Sequence, residues 1–233
     1  LNSLNFDVSS ILNIESDHLD YHQTIENYIA SKFMISNTTL DNNVIINVDS
    51  INIKNEYKNL GKSKFKSFSQ VDESCDFFLS INKCDIKNSI FSLKYYDQLL
   101  SFSTKIFPNF NILNFSFAVI SILNTYKNID FTNVQTKKLR MPKGRMDFIQ
   151  NITKNVIIDY AHNADGFKNV LSSVQGHFNK LVCVFGCGGD RDRKKRALML
   201  EIALRYSDLV IFTSDNSRTE SFDLIFKDAS IGN

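Results

Sequence analysis

The apolar positions of this chain change their rhythm near residue 142, and the two sides of that change predict different architectures. Over residues 20–36, Ile25, Tyr28, Ile29 and Phe33 recur at helical spacing, which predicts one amphipathic helix carrying Lys32 beside its buried stripe. Ahead of it, Phe6, Val8 and Ile11 read as a strand-like stretch. Short or alternating apolar runs at 43–48, 77–81 and 89–96 read as strands separated by polar Asn- and Lys-rich turns. A second helix is expected over 111–126, with Phe115, Val119 and Leu123 along one face.

Pro142, Lys143 and Gly144 then interrupt the periodicity, and a regular alternation begins. Strands are expected at 156–160, 181–185 and 209–213, with helices starting near Asp165, Lys194 and Phe222. Strands alternating with helices at this spacing predict an α/β chain with a parallel sheet, whose ligands meet the carboxyl ends of the strands. The break divides the chain into two expected domains, residues 1–142 and 143–233.

Composition narrows the possible partners. A chain of 233 residues with 43% hydrophobic content can bury a core in each of two modest domains. A formal net charge of +2 is too small to imply a nucleic-acid partner by itself, and no nucleic acid or membrane is expected to bind, although the local cluster Arg191 to Arg196 could still meet phosphate or carboxylate groups. The apolar runs are far shorter than the roughly 18 residues of a membrane span, and no targeting segment is visible. Cys75, Cys84, Cys183 and Cys187 lack the paired spacing of a zinc site, which predicts free thiols and a cytoplasmic location.

Four constellations carry possible chemistry. Asp17-His18-Leu19-Asp20-Tyr21-His22 precedes the Lys32 helix; it offers cation or phosphate ligands, or an Asp17 or Asp20 helix cap. Residues 156–162 read as a buried strand ending in Asp159, placed to accept from ribose hydroxyls, with His162 three residues on. An acid there equally serves to cap the next helix. The turn Gly186-Cys187-Gly188-Gly189-Asp190-Arg191 lets backbone approach an anion at a helix start, although it lacks full dinucleotide-fingerprint spacing. Asp215-Asn216-Ser217-Arg218 offers a guanidinium fork for carboxylate and acceptors for ammonium, or forms a plain solvated turn. Gly61-Lys62-Ser63 is not the tail of a phosphate loop, because Glu56 stands where such a loop requires glycine.

Taken in this order, the motifs resemble the Mur ligases, and within them the branch that joins meso-2,6-diaminopimelate to UDP-N-acetylmuramoyl-L-alanyl-D-glutamate. The resemblance runs nearly end to end and is densest at 13–32, Gly144-Arg145-Met146-Asp147, Asp159-Tyr160-Ala161-His162 and 184–218. It implies a truncated central ATPase domain lacking its phosphate loop, followed by a truncated Rossmann-like carboxyl-terminal domain. Both ends of the chain are expected to be internal to those domains. The implied cofactors are ATP and Mg²⁺, and a cytoplasmic monomer is expected.

Position by position, the resemblance makes His18 a magnesium ligand and Lys32 the lysine that becomes carbamylated. Asn111 and Asn114 match the adenine-approaching pair, Arg145 an arginine reaching the ATP phosphates, and Asp159, with His162 in the same motif, the ribose acid. Arg191, Asp215, Asn216 and Arg218 match the diaminopimelate pocket, with Arg218 a buried fork for the carboxylate that lysine lacks. The sequence departs from the family at Ser217, where proline is usual, and at Pro108 and Asn109, where a glycine and a small residue are usual. The implied reaction passes through an acyl phosphate. An inactive remnant, a lysine-adding enzyme and a folylpolyglutamate-synthetase-like relative are the alternatives.

Overall fold

A computed structural model describes residues 4–15, 19–40, 43–126, 129, 139, 141–149 and 155–231. The chain divides into two compact units, Leu1–Arg140 and Met141–Asn233.

The first unit is built on a six-stranded sheet in the order β1 (Ser9–Ile11), β2 (Val44–Asn47), β3 (Lys66–Ser69), β4 (Phe77–Lys83), β5 (Ser89–Tyr95) and β6 (Gln98–Thr104). The pairings from β1 to β4 are parallel, and those from β4 to β6 antiparallel. β2 is buried at all four positions, as a parallel strand covered on both faces should be. The β4–β6 meander instead alternates, with Leu79, Phe91, Leu93 and Phe102 turned inward. Between β1 and β2 lie α1 (Leu19–His22) and α2 (Ile25–Phe33), and α3 (Ile51–Leu60) makes the crossover from β2 to β3. The 17-residue α4 (Asn109–Thr125) sets Phe117 against Phe68 of β3, with ring centroids 4.5 Å apart.

The expected single helix over 20–36 is broken. Gln23 takes a left-handed φ of 67°, and Thr24 caps α2 by accepting the Asn27 N–H at 3.2 Å. A hydroxyl cap with extended backbone ends one helical path and starts another, which periodicity alone does not register. α3, β3 and β6 are elements that the apolar pattern did not predict.

In the second unit, α5 (Ala164–Val174), α6 (Lys194–Tyr206) and α7 (Phe222–Ala229) pack around the parallel pair β9 (Val182–Phe185) and β10 (Leu209–Phe212). Phe167, Leu171, Met199, Ala203, Ile225 and Ala229 close over Cys183 and Phe185 on one sheet face. The other face leaves Val182, Val184, Leu209 and Ile211 between 45% and 60% exposed.

A buried parallel strand over 156–160 is not found. Only β8 (Ile157–Ile158) forms, pairing antiparallel with β7 (Asp147–Phe148). Val156 and Ile158 are exposed, so the apolar run that suggested a core strand is not enclosed by the described chain. Among the described residues no helix is long and apolar enough to cross a membrane.

Candidate functional site

In the first unit the predicted residues ride on two helices, α2 and α4. Lys32 occupies the last turn of α2, is exposed, and holds its Nζ 5.0 Å from the centroid of the Tyr28 ring. Asp17 and His18 lie outside the described residues. At the start of α4, Asn111 is 5% exposed and its Nδ2 donates to the Phe107 carbonyl at 2.9 Å, closing the first helical turn. Asn114 follows one turn later on the same side and is exposed.

In the second unit the motifs are brought together. Because β9 and β10 run parallel and adjacent, the turns that leave them, 186–193 and 213–221, emerge at the same sheet end. The Gly189 N–H donates to the Asn216 carbonyl at 2.9 Å, and Arg218 Nη1 donates back to the Gly189 carbonyl at 2.6 Å. This approach demands glycine: a Cβ on Gly189 would collide with the Ser217 carbonyl oxygen, and one on Gly186 with that of Thr213. Asp190 and Arg218 both adopt left-handed backbone, with φ of 51° and 49°. Asp190 turns its carboxylate to the Thr219 hydroxyl at 2.8 Å and the Thr219 N–H at 3.1 Å.

Beneath this mesh lies an ionic network. Arg196, wholly buried on α6, donates from Nη1 and Nη2 to the two Glu220 oxygens at 2.9 and 2.8 Å. It also donates to Asp228 at 2.7 Å and to the Gly188 carbonyl at 3.1 Å. The Asp190 N–H donates to Glu220 at 2.6 Å, and exposed Arg193 reaches the same carboxylate at 3.2 Å. The Arg196 hydrogen bonds, then the Asp190 N–H, lower the Glu220 carboxyl to about 2. Burial pushes the Cys183 thiol up to about 11; it also raises Cys187, against the opposing pull of Arg196 and Lys195.

Arg191, Asp215, Asn216 and Arg218 all sit on the exposed surface of these turns. Arg218 is therefore not the buried fork expected from sequence: its left-handed backbone lays the guanidinium along the Gly189 carbonyl instead of into the core. The Asp159 motif lies at the same end, because Lys195 Nζ at the start of α6 donates to the His162 carbonyl at 3.0 Å. Asp159 accepts the Met146 N–H on one oxygen and the Ala161 N–H on the other, each at 2.8 Å. Exposed Arg145 stacks over the Tyr160 ring at 5.0 Å, and His162 meets that ring edge-on at 5.6 Å. Anchored carboxylate, guanidinium and aromatic ring suit a ribose-phosphate ligand.

Glu220 escaped the sequence reading, which took Arg196 only as the end of a basic cluster and not as its buried partner. The signal was present: Arg196 falls at helical spacing with Met199, Leu200 and Ala203, a charge within an otherwise apolar stripe.

Comparison with known proteins places the chain in a family. The model of the Mur ligase glutamate ligase domain matches residues 144–233, and that of the Mur ligase middle domain matches 1–122. The UDP-N-acetylmuramoyl-L-alanyl-D-glutamate--2,6-diaminopimelate ligase of Buchnera aphidicola subsp. Baizongia pistaciae is 35% identical over 233 residues, 94% of this chain and 45% of that protein. A solved structure of a ligase of the same name aligns with TM-score 0.55 and 30% identity, covering 97% of this chain and 48% of the other. The Mycobacterium tuberculosis folylpolyglutamate synthase, solved with ADP and AMPPCP, reaches TM-score 0.76 at 18% identity over 97% of this chain and 52% of its own, a likeness of fold alone. The chain thus spans about half the length of the curated relatives it matches. With one family model matched on each side of the break near residue 142, and the middle-domain match alone covering more than half of the sequence, the chain belongs to the Mur ligase family.

Proposed function

We propose that the protein carrying this chain is an ATP-dependent amide-bond ligase of peptidoglycan synthesis that joins meso-2,6-diaminopimelate to UDP-N-acetylmuramoyl-L-alanyl-D-glutamate. Residues 1–142 contribute to its central ATPase domain and 143–233 to its amino-acid-binding domain, in a cytoplasmic monomer. The observation that carries the reading is the pair of interlocked turns after β9 and β10, which present Arg191, Asp215, Asn216 and Arg218 together. Arginine forks suit the carboxylates of a diamino acid, and Asp215 with the Asn216 amide suits an ammonium.

The reaction transfers the γ-phosphoryl group of ATP to the D-glutamate side-chain carboxylate, giving an acyl phosphate and ADP. The amine of diaminopimelate attacks the acyl carbon, phosphate leaves, and the amine loses a proton. Asp159, its two oxygens each fixed by one backbone N–H, retains lone pairs for ribose hydroxyls. His162 completes that motif, Arg145 reaches the phosphates, and Asn111 and Asn114 approach the adenine. Catalysis of this kind is mostly positioning and charge stabilisation.

Among the described residues no group of three or more His, Cys, Asp or Glu side chains could hold a metal ion. As an ammonium, Lys32 does not suit Mg²⁺; as a carbamate it offers the hard oxygen ligands this ion takes. Carbamylated Lys32 and His18 would hold the ion, which would neutralise charge on phosphate and carboxylate oxygens.

The test is to supply the protein with ATP, the UDP-linked dipeptide and either diaminopimelate or lysine, and to follow product mass and phosphate release. Diaminopimelate should be strongly preferred. Arg218→Ala should lower kcat/KM for diaminopimelate by roughly 10- to 100-fold, the ~1–3 kcal/mol of an unpaired polar partner, with little change in KM for ATP. A wild-type protein that adds lysine as readily, or a variant with an unaltered preference, would overturn the substrate assignment.

A further inference from the structure

We propose that Arg196 and Glu220 are positioning residues of the amino-acid site: a buried ionic latch that ties the turn after β9 to the turn after β10 and so fixes the Arg218 fork. The inference rests on the function proposed above.

Three observations converge on it. Arg196 has no exposed surface, yet it spends its guanidinium on Glu220 and Asp228 and on the Gly188 carbonyl, thereby reaching both turns and α7. Glu220, with its side chain 8% exposed, returns the tie by accepting the Asp190 N–H. Gly189, between those two anchor points, holds the Arg218 guanidinium through its carbonyl. Arg218 thus takes its direction from a backbone carbonyl flanked by two latch contacts. An apolar helix position occupied by arginine costs desolvation that a leucine would avoid; registering two loops is a function leucine could not serve.

Positioning predicts a selective kinetic change. Glu220→Gln keeps the side-chain shape and an acceptor for the Asp190 N–H but removes the charge opposite Arg196. In the full-length protein it should raise KM for diaminopimelate about tenfold or more, with KM for ATP within about twofold, since a tenfold change corresponds to ~1.4 kcal/mol. Arg196→Lys, which keeps charge but loses the bidentate fork, should do the same. Thr219→Val removes only the exposed hydroxyl that Asp190 accepts, and should raise the same KM by a smaller factor. It serves as the deciding variant if the buried substitutions fail to fold.

Equal changes in both KM values, or no change in folded variants, would overturn the latch. If the wild-type protein instead ligates a different amino acid, the substrate reading fails alone. The same KM split, measured with that amino acid, then decides the latch.

Discussion

The two units fix their functional residues by opposite means. In the first, Lys32, Asn111 and Asn114 ride on helices whose places are set by apolar burial: Ile45, Ile46, Phe68 and Leu93 have no exposed surface, and each site residue is held by its own helix. In the second, the sheet is covered on one face, and the functional turns are held to each other by backbone hydrogen bonds and a buried charge network. A site placed by packing should respond to cavities and be indifferent to pH. A site placed by paired charges should respond to proton concentration.

The largest expected effect breaks the first unit. Phe68 in β3 is fully buried against Phe117, so Phe68→Ala should cost ~3–5 kcal/mol through lost transfer energy and an unfilled cavity. Urea unfolding followed by circular dichroism measures it, and the loss should be the same at pH 5 and pH 8. A strongly pH-dependent loss would mean that packing is not what holds this unit.

Lys32→Ala should act on turnover and leave stability almost untouched, because the side chain is exposed and its described contact is the Tyr28 ring. Removing one charge-stabilising group costs roughly 10²–10³-fold in kcat, while an exposed substitution stays within about 0.5 kcal/mol in stability. Partial rescue by added short carboxylic acids would support a carbamate at this position. Wild-type turnover in the variant would remove Lys32 from the mechanism.

The second unit should be sensitive to acid. Glu220 titrates at about 2 when folded against an ordinary 4.5, so the native state binds fewer protons at this group than the unfolded chain. Its contribution is complete above pH 4.5 and is lost as the pH falls toward 2, with Arg196, Arg193 and Asp228 the charges that face it. In Glu220→Gln this part of the acid dependence should vanish. Identical acid profiles for variant and wild type would show that the network does not bear on stability.

The contrast also explains what could be read from sequence. In the second unit the strand and helix pattern from Ala164 onward was legible almost residue by residue, because each element has a clear apolar face and a turn signal at its end. In the first, α3 was hidden: Ile53 alone is fully buried in an Asn- and Lys-rich segment that looks like a polar turn. β3 is short and takes its burial from its neighbours, and the Leu-Leu-Ser-Phe-Ser run of β6 offered an alternation that went unused. Motif residues were visible because their chemistry is unusual. Their geometry was not: the left-handed φ of Arg218 and the partner of Arg196 go with contacts across 29 and 24 residues, beyond the reach of any local pattern.

The smallest effect concerns thiol labelling, and it tests whether the units open separately. Cys75 in the first unit and Cys187 in the second are both buried, and burial raises both thiols, so each reacts only when its surroundings open. Cys187 lies one residue before the Gly188 carbonyl that Arg196 holds. Weakening the latch with Glu220→Gln should therefore speed labelling of Cys187 by a few-fold while leaving Cys75 at its wild-type rate. Mass spectrometry after short exposure to a thiol reagent reads both sites in one sample. Equal acceleration at the two cysteines would mean that the units unfold as one, and that the division between a packed site and a latched one does not describe how this chain moves.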